Sequence, residues 1–167
     1  MDPTRTEAGP TTDQVQRHLR RANAVAARAM TLGRHPFGAL LVGPDHETVL
    51  AEQGNIDTVN HAESTLARIA ASNHAAATLA ASTLYTTFEP CAMCAGTIYW
   101  AGIGRVVYGA SEEALLALTG NHPENPTLAL PCREVFARGQ RPVEVIGPVD
   151  ELRDEMVALH RDFWRSL

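Results

Sequence analysis

Leu84-Tyr85-Thr86-Thr87-Phe88-Glu89-Pro90-Cys91-Ala92-Met93-Cys94 decides how this chain is read. The run from Thr83 to Thr87 is rich in β-branched and aromatic residues and predicts a strand. Pro90 then predicts a helix start, because proline suits the first helical position. A strand delivering directly into a helix puts Cys91 and Cys94 on one face of the first turn, since side chains three apart are neighbours. Both sulfurs can then reach one ion. A helix N-terminus also favours thiolate over thiol, which prepares Cys91 for a cation.

Thirty residues upstream lies His61-Ala62-Glu63. His61 supplies a third ligand beside Cys91 and Cys94, and a zinc ion held by three protein groups keeps its fourth tetrahedral position for water, the pattern of a catalytic site. Glu63 then serves as a proton carrier next to that water. Two blander readings compete. A redox pair explains Cys-x-x-Cys without any use for His61 or Glu63. A closed structural site needs a fourth ligand, for which Cys132 is the candidate, and it leaves Glu63 without a role.

The chain has 167 residues, enough for one domain with a core that needs no disulfide support. We expect a loose tail over residues 1–10 and a single domain over 11–167. Of the three cysteines two belong to the motif, so a reducing, cytoplasmic setting is expected. No apolar run is long enough to span a bilayer, and the first residues lack the order of an export signal. All fourteen basic residues are arginines and the net charge is -5, a balance that does not gather polyanions from a distance.

From Thr12 onward, Val15, Leu19, Ala22, Ala26 and Ala29 recur at helical spacing up to a stop at Gly33. Arg17, Arg20, Arg21 and Arg28 fall on the opposite face, read as a solvated helix side in preference to a phosphate-binding surface. Leu40-Leu41-Val42 and Thr48-Val49-Leu50-Ala51 predict a hairpin around Gly43-Pro44-Asp45. Residues 61–72 predict a helix with Leu66 and Ile69 inward. Further on, 105–108 predict a strand, 111–118 a helix capped by Ser111, 121–131 a proline-rich loop bordering the site, 132–138 a helix and 143–146 a last strand. A closing helix over 150–165 carries Leu152, Met156, Leu159 and Phe163 on one stripe. Alternating strands and helices imply an α/β sheet covered on both faces.

Pro36-Phe37-Gly38-Ala39, His61-Ala62-Glu63 and the 84–94 stretch together resemble the cytidine deaminase superfamily, whose signature joins His-x-Glu to Pro-Cys-x-x-Cys. The branch resembled holds guanine, guanosine and fungal-type cytosine deaminases and tRNA adenosine deaminases. Gly96-Thr97-Ile98-Tyr99-Trp100-Ala101 is most similar to bacterial guanine deaminase.

The resemblance implies a three-layer α/β/α fold with a five-stranded mixed sheet, and a homodimer. It implies zinc on His61, Cys91 and Cys94, Glu63 as proton shuttle and Asn55 on the base. The backbone amides of Ala62 and Cys91 would face the substrate, with Phe37 stacking. Guanine deaminases hold the base with an aspartate after the fourth strand, a departure here, where Ala114 aligns and only Glu112 or Glu113 is near. Trp164 would cap a pocket, its own or a neighbouring subunit's, though the stripe it extends favours an ordinary core role. The implied activity is hydrolytic deamination of a free purine base or nucleoside, guanine first. The alternatives are adenosine in tRNA, cytosine or another amino-heterocycle, and a zinc-binding scaffold without catalysis. The flanks depart from the tRNA enzymes, with Asp57-Thr58-Val59-Asn60 before the histidine and Glu112-Glu113-Ala114 after the fourth strand.

Overall fold

The computed structural model describes residues 8–120 and 122–167. Helix α1 (Thr12–Thr31) begins with a capping box, in which Thr11 accepts from Gln14 N and the Gln14 side chain returns to the Thr11 amide. It is followed by β1 (Gly38–Val42), β2 (Val49–Gly54), α2 (Ala62–Asn73), α3 (Ala76–Ala80), β3 (Thr83–Phe88) and α4 (Ala92–Ala101). Then come β4 (Arg105–Ala110), α5 (Glu112–Thr119), α6 (Cys132–Ala137), β5 (Glu144–Ile146) and α7 (Arg153–Ala158). The sheet order is β2-β1-β3-β4-β5. β1 pairs antiparallel with β2 and β3, whereas β3–β4 and β4–β5 are parallel, so the sheet is mixed.

Two cores sandwich this sheet. On one side Leu19, Ala22 and Val25 of α1 meet Leu40, Tyr85, Val107 and Met156. On the other, Leu66 and Ala70 of α2 and Ala95 and Ile98 of α4 meet Leu41, Leu84 and Val106. Alternate residues of β1 and β3 feed opposite cores, and both strands are buried throughout, as expected for central strands covered on both faces. A Cβ on Gly38 would stand 2.3 Å from the Ala22 carbonyl oxygen, so the close seat of α1 on β1 requires glycine there.

Several expectations are corrected. Cys91 is the N-cap of α4 with an extended backbone, which puts Pro90 one residue before the cap and outside the helix. Ile69 faces outward at 46% exposure, because Ala67 and Ala70 occupy the inner stripe with Leu66. Helix α3 was not anticipated, although its alanines have high helix propensity. The closing segment is broken into a 3-10 turn at Asp150–Leu152, α7, and a second 3-10 turn at Phe163–Arg165. Its inward stripe is Leu152, Met156, His160 and Trp164, not Leu159 and Phe163. The expected tail falls largely on residues 1–7, outside the described residues; from residue 8, the Ala8 carbonyl lies 3.1 Å from His46 Nε2.

The arginine face of α1 is neutralised locally. Arg17 pairs with Asp13 and Glu47, Arg20 with Glu155, and Arg21 and Arg28 share Glu52. These exposed pairs contribute little stability, but they leave no free arginine row on that helix for a phosphate backbone.

Candidate active site

The site lies where the carboxyl ends of β3 and β4 open onto helices, the usual crevice of a parallel arrangement. His61 and Cys91 are the N-cap residues of α2 and α4, each with an extended backbone and no side-chain capping bond. Two positive helix ends therefore converge on one point, and their side chains remain free for a ligand. Cys94, three residues into α4, completes the group. His61 Nδ1 lies 3.6 Å from Cys91 Sγ and 3.5 Å from Cys94 Sγ. The three donor atoms all fall within 4.8 Å of one another. One imidazole nitrogen and two sulfurs suit zinc. Cys132 is not in this cluster; it is buried in the apolar core beside Phe136, with its thiol pushed up to about 12 by burial.

Neighbouring groups orient these side chains. His61 Nε2 donates to the Thr58 carbonyl at 3.1 Å, which fixes the ring and aims Nδ1 at the sulfurs. The hydrogen bond from Cys94, followed by that to His61, holds the Cys91 thiol well below its usual range, and Cys91 in turn raises His61. Both shifts favour a Cys91 thiolate, the form a metal ion binds.

Glu63 enters from the first turn of α2 and is buried. Its Oε1 accepts from Thr86 Oγ1 at 2.9 Å, and Oε2 is 3.8 Å from Cys94 Sγ. Burial raises its pKa, as a group that must both take and give a proton requires. Thr86 is a partner that sequence reading missed, although its alternation on β3 with buried Leu84 and Phe88 was open to view.

A cavity of about 390 Å³ leads outward from Glu63, His61 and Cys91. Asn55, Phe37 and Glu112 stand in its wall. Asn55 is buried and spends one amide hydrogen on the Asp57 carbonyl at 3.1 Å. Glu112, not Glu113, faces the cavity; Glu113 is exposed on the outside of α5. Glu112 Oε2 is buried and no hydrogen-bond partner for it is found among the described residues. Burial first, then the negative Cys91, Glu63 and Glu89, push Glu112 up to about 8.

Ala62 is buried at the start of α2 but is not a wall residue, whereas Cys91 is. Trp164 also stands behind the wall. Its indole packs on His35 at 4.7 Å and donates to His160 Nδ1 at 3.1 Å, while His160 Nε2 bonds the Pro36 carbonyl at 2.9 Å. This chain of bonds holds Pro36-Phe37 in place. Sequence reading passed over His160 because a histidine on an apolar stripe carries no periodic signal.

A five-stranded mixed sheet between helices, with a His-Cys-Cys cluster and a buried glutamate at the carboxyl ends of its strands, defines a zinc-type hydrolytic enzyme. Residues 12–110 match the cytidine and deoxycytidylate deaminase zinc-binding region, and the chain belongs to that family. It is 35% identical over 150 residues to a probable cytosine deaminase of Schizosaccharomyces pombe, covering 88% of this chain and 90% of that one. Guanine deaminase of Bacillus subtilis is 40% identical over 99 residues, 56% of this chain and 63% of its own length. The tRNA-specific adenosine deaminase of Haemophilus influenzae is 40% identical over 102 residues, 58% of each. The solved guanine deaminase from Nitrosomonas europaea shares the fold at a TM-score of 0.62 and 23% identity, over 95% of this chain and 87% of that one. Among the described residues no helix is long and apolar enough to cross a membrane.

Proposed function

We propose that this chain is a hydrolytic deaminase of free amino-substituted nucleobases, with guanine the first candidate. The supporting observation is the cavity in which Glu63, next to the His61-Cys91-Cys94 group, faces a wall holding Asn55 and Glu112, whose Oε2 has no partner among the described residues. Zinc held by His61, Cys91 and Cys94 would supply a water whose pKa falls from 15.7 to about 7. In the reaction C–NH2 becomes C=O and ammonia leaves; the oxygen comes from water, and its two protons end on a ring nitrogen and on the ammonia. Glu63 carries both protons in turn, and Thr86 steadies the oxygen of Glu63 that is not moving them.

Ring N–H groups suit the acceptors offered here. Glu112 lacks a partner until a ligand supplies one, and an N–H donor would draw it back toward carboxylate. Asn55 Oδ1 adds a second acceptor. Attaching ribose removes one ring N–H, so a buried acceptor of this kind favours the base over its nucleoside. Phe37 gives the ring an apolar face.

Cytosine is the second candidate, favoured by the Schizosaccharomyces pombe relative that matches along nearly the whole chain. An RNA substrate fits less well, because the arginines of α1 are each paired with carboxylates. A scaffold without catalysis leaves the burial of Glu63 beside the ligands unexplained.

The reading includes one domain over 11–167 and a cytoplasmic setting, for which three unpaired thiols speak. It also includes a homodimer. Helix α4 is apolar all round, yet Trp100 is 81% exposed and Ile69 of α2 is exposed on the same side of the sheet, a face suited to a second copy.

Ammonia release from guanine, cytosine, adenine and their ribonucleosides by the zinc-loaded protein tests the proposal. Turnover of guanine or cytosine is expected. Turnover confined to adenosine in folded tRNA, or none on any of these, overturns it.

A further inference from the structure

Between α5 and α6, residues 122–131 cross the outside of the cavity, and Glu124, Asn125, Pro126, Thr127 and Leu128 all contribute to its wall. The opposite end of the cavity is buried Glu63; this end is the solvent side, with Glu124 and Leu128 exposed. The segment has its own internal order. Asn125 Nδ2 donates to Thr127 Oγ1 at 3.0 Å, and Asn125 N donates to the His122 carbonyl at 3.0 Å. The His122 ring rests edge-on against Trp164 at 5.3 Å.

The far root of the segment, at Cys132, and the start of the helix that leads into it, at Glu112, hang on one side chain. Buried Glu89 accepts from Glu112 N, the first residue of α5, at 3.2 Å, and from Cys132 N, the first residue of α6, at 3.0 Å. One carboxylate thus satisfies amides at two helix N-termini, where negative charge is favoured. Glu89 stands two residues before Cys91, so the start of α5 and the far root of the segment are fixed relative to the His61-Cys91-Cys94 group. The tip is held differently. Glu124 Oε2 meets His35 Nε2 at 2.9 Å, and His35 is itself packed against Trp164.

We propose that residues 122–131 form a strap that sets the size of the accepted substrate, rooted by Glu89 and latched across the cavity mouth by the His35–Glu124 contact. The inference rests on the deaminase reading and refines it: a flat base fits beneath the latched strap, and a ribose on that base must displace it. A cavity of about 390 Å³ lies toward the low end of small-molecule sites, which span about 300–1,000 Å³. Glu89 is a positioning residue here, and Glu124 with His35 decides specificity.

The test uses the zinc-loaded protein with His35→Ala and Glu124→Gln, the second a substitution at an exposed side chain that leaves the core intact. Ammonia release is followed on guanine and guanosine and on cytosine and cytidine. The unaltered protein is expected to prefer base over nucleoside at least tenfold in kcat/KM, and each variant to lower that ratio at least threefold, through nucleoside KM. Equal use of base and nucleoside by the unaltered protein overturns the strap, as does an unchanged ratio in both variants. Hydrogen exchange gives an arm independent of turnover: amides of 122–131 exchange faster in both variants while those of β3 do not change. Unchanged exchange overturns the latch. If no base or nucleoside releases ammonia, the deaminase reading fails, and the exchange arm still decides the latch.

Discussion

The two ends of the cavity are built on different principles. At the inner end, His61, Glu63, Cys91 and Cys94 project from two helix starts, each carrying its own pair at a spacing of two or three residues, and every one of these side chains is held by a partner within a few ångströms. At the outer end, the wall comes from the α1–β1 connection, the 122–131 segment and, behind them, the last residues of the chain, joined by contacts such as His35–Glu124 across 89 positions. Chemistry demands fixed geometry at the inner end, whereas the outer end can differ between relatives without disturbing it. The match of residues 12–110 to the family contains the inner end whole and stops before the strap.

The contrast can be broken most severely at the ligands. Cys91→Ala is expected to abolish zinc retention and turnover together, while Cys132→Ala keeps about one zinc per chain by elemental analysis. Loss of zinc from Cys132→Ala would transfer the site to the closed, structural type. Next in size, Glu63→Gln should lower kcat by about a thousandfold, in the middle of what acid–base transfer contributes, with zinc content unchanged. Near-normal kcat in this variant would remove the proton carrier from the mechanism.

A smaller effect sharpens the inner end. Thr86→Val removes the hydroxyl that donates to Glu63, and a hydrogen bond to a charged group is worth about 1.5–3 kcal/mol. A fall in kcat of about tenfold or more with little change in KM is expected from steady-state kinetics. If KM changes and kcat does not, Thr86 belongs to the substrate wall instead.

The smallest effect on turnover, and the clearest on stability, belongs to the outer end. Burial lowers His160 to about 4, below its ordinary 6.5. The unfolded chain therefore binds a proton there that the folded chain refuses. Stability from this group is full above about pH 6.5 and is lost as pH falls toward 4, by up to about 3 kcal/mol. Urea unfolding at pH 7 and pH 4.5 should show this fall, and His160→Phe should flatten it while lowering stability at pH 7. An equal pH slope in the variant would place the acid sensitivity elsewhere.

Much of the inner end was legible in advance. The 84–94 stretch read as strand then helix, and the His61, Cys91, Cys94 and Glu63 set came together as its spacing implied. The outer end was not. Periodicity selected Leu159 and Phe163 for the closing stripe, yet the fold buries His160 and Trp164, because a carbonyl at Pro36 and the indole N–H satisfy the imidazole. Glu112 and Glu113 were indistinguishable on composition. Ser111 as cap and Glu89 on the Glu112 amide fix where α5 starts, and adjacent helix positions then point about 100° apart.

By itself the sequence determined the His-x-Glu and Cys-x-x-Cys pairs, the strands and helices that carry them, and the covered sheet, since each depends on spacings of a few residues or on a run of one chemical type. Only the tertiary structure decided which glutamate faces the cavity, that Glu89 roots two helices, and that His35 reaches Glu124. Those choices join side chains tens of residues apart, and no local periodicity records which distant backbone amide or carboxylate will be waiting when the chain has folded.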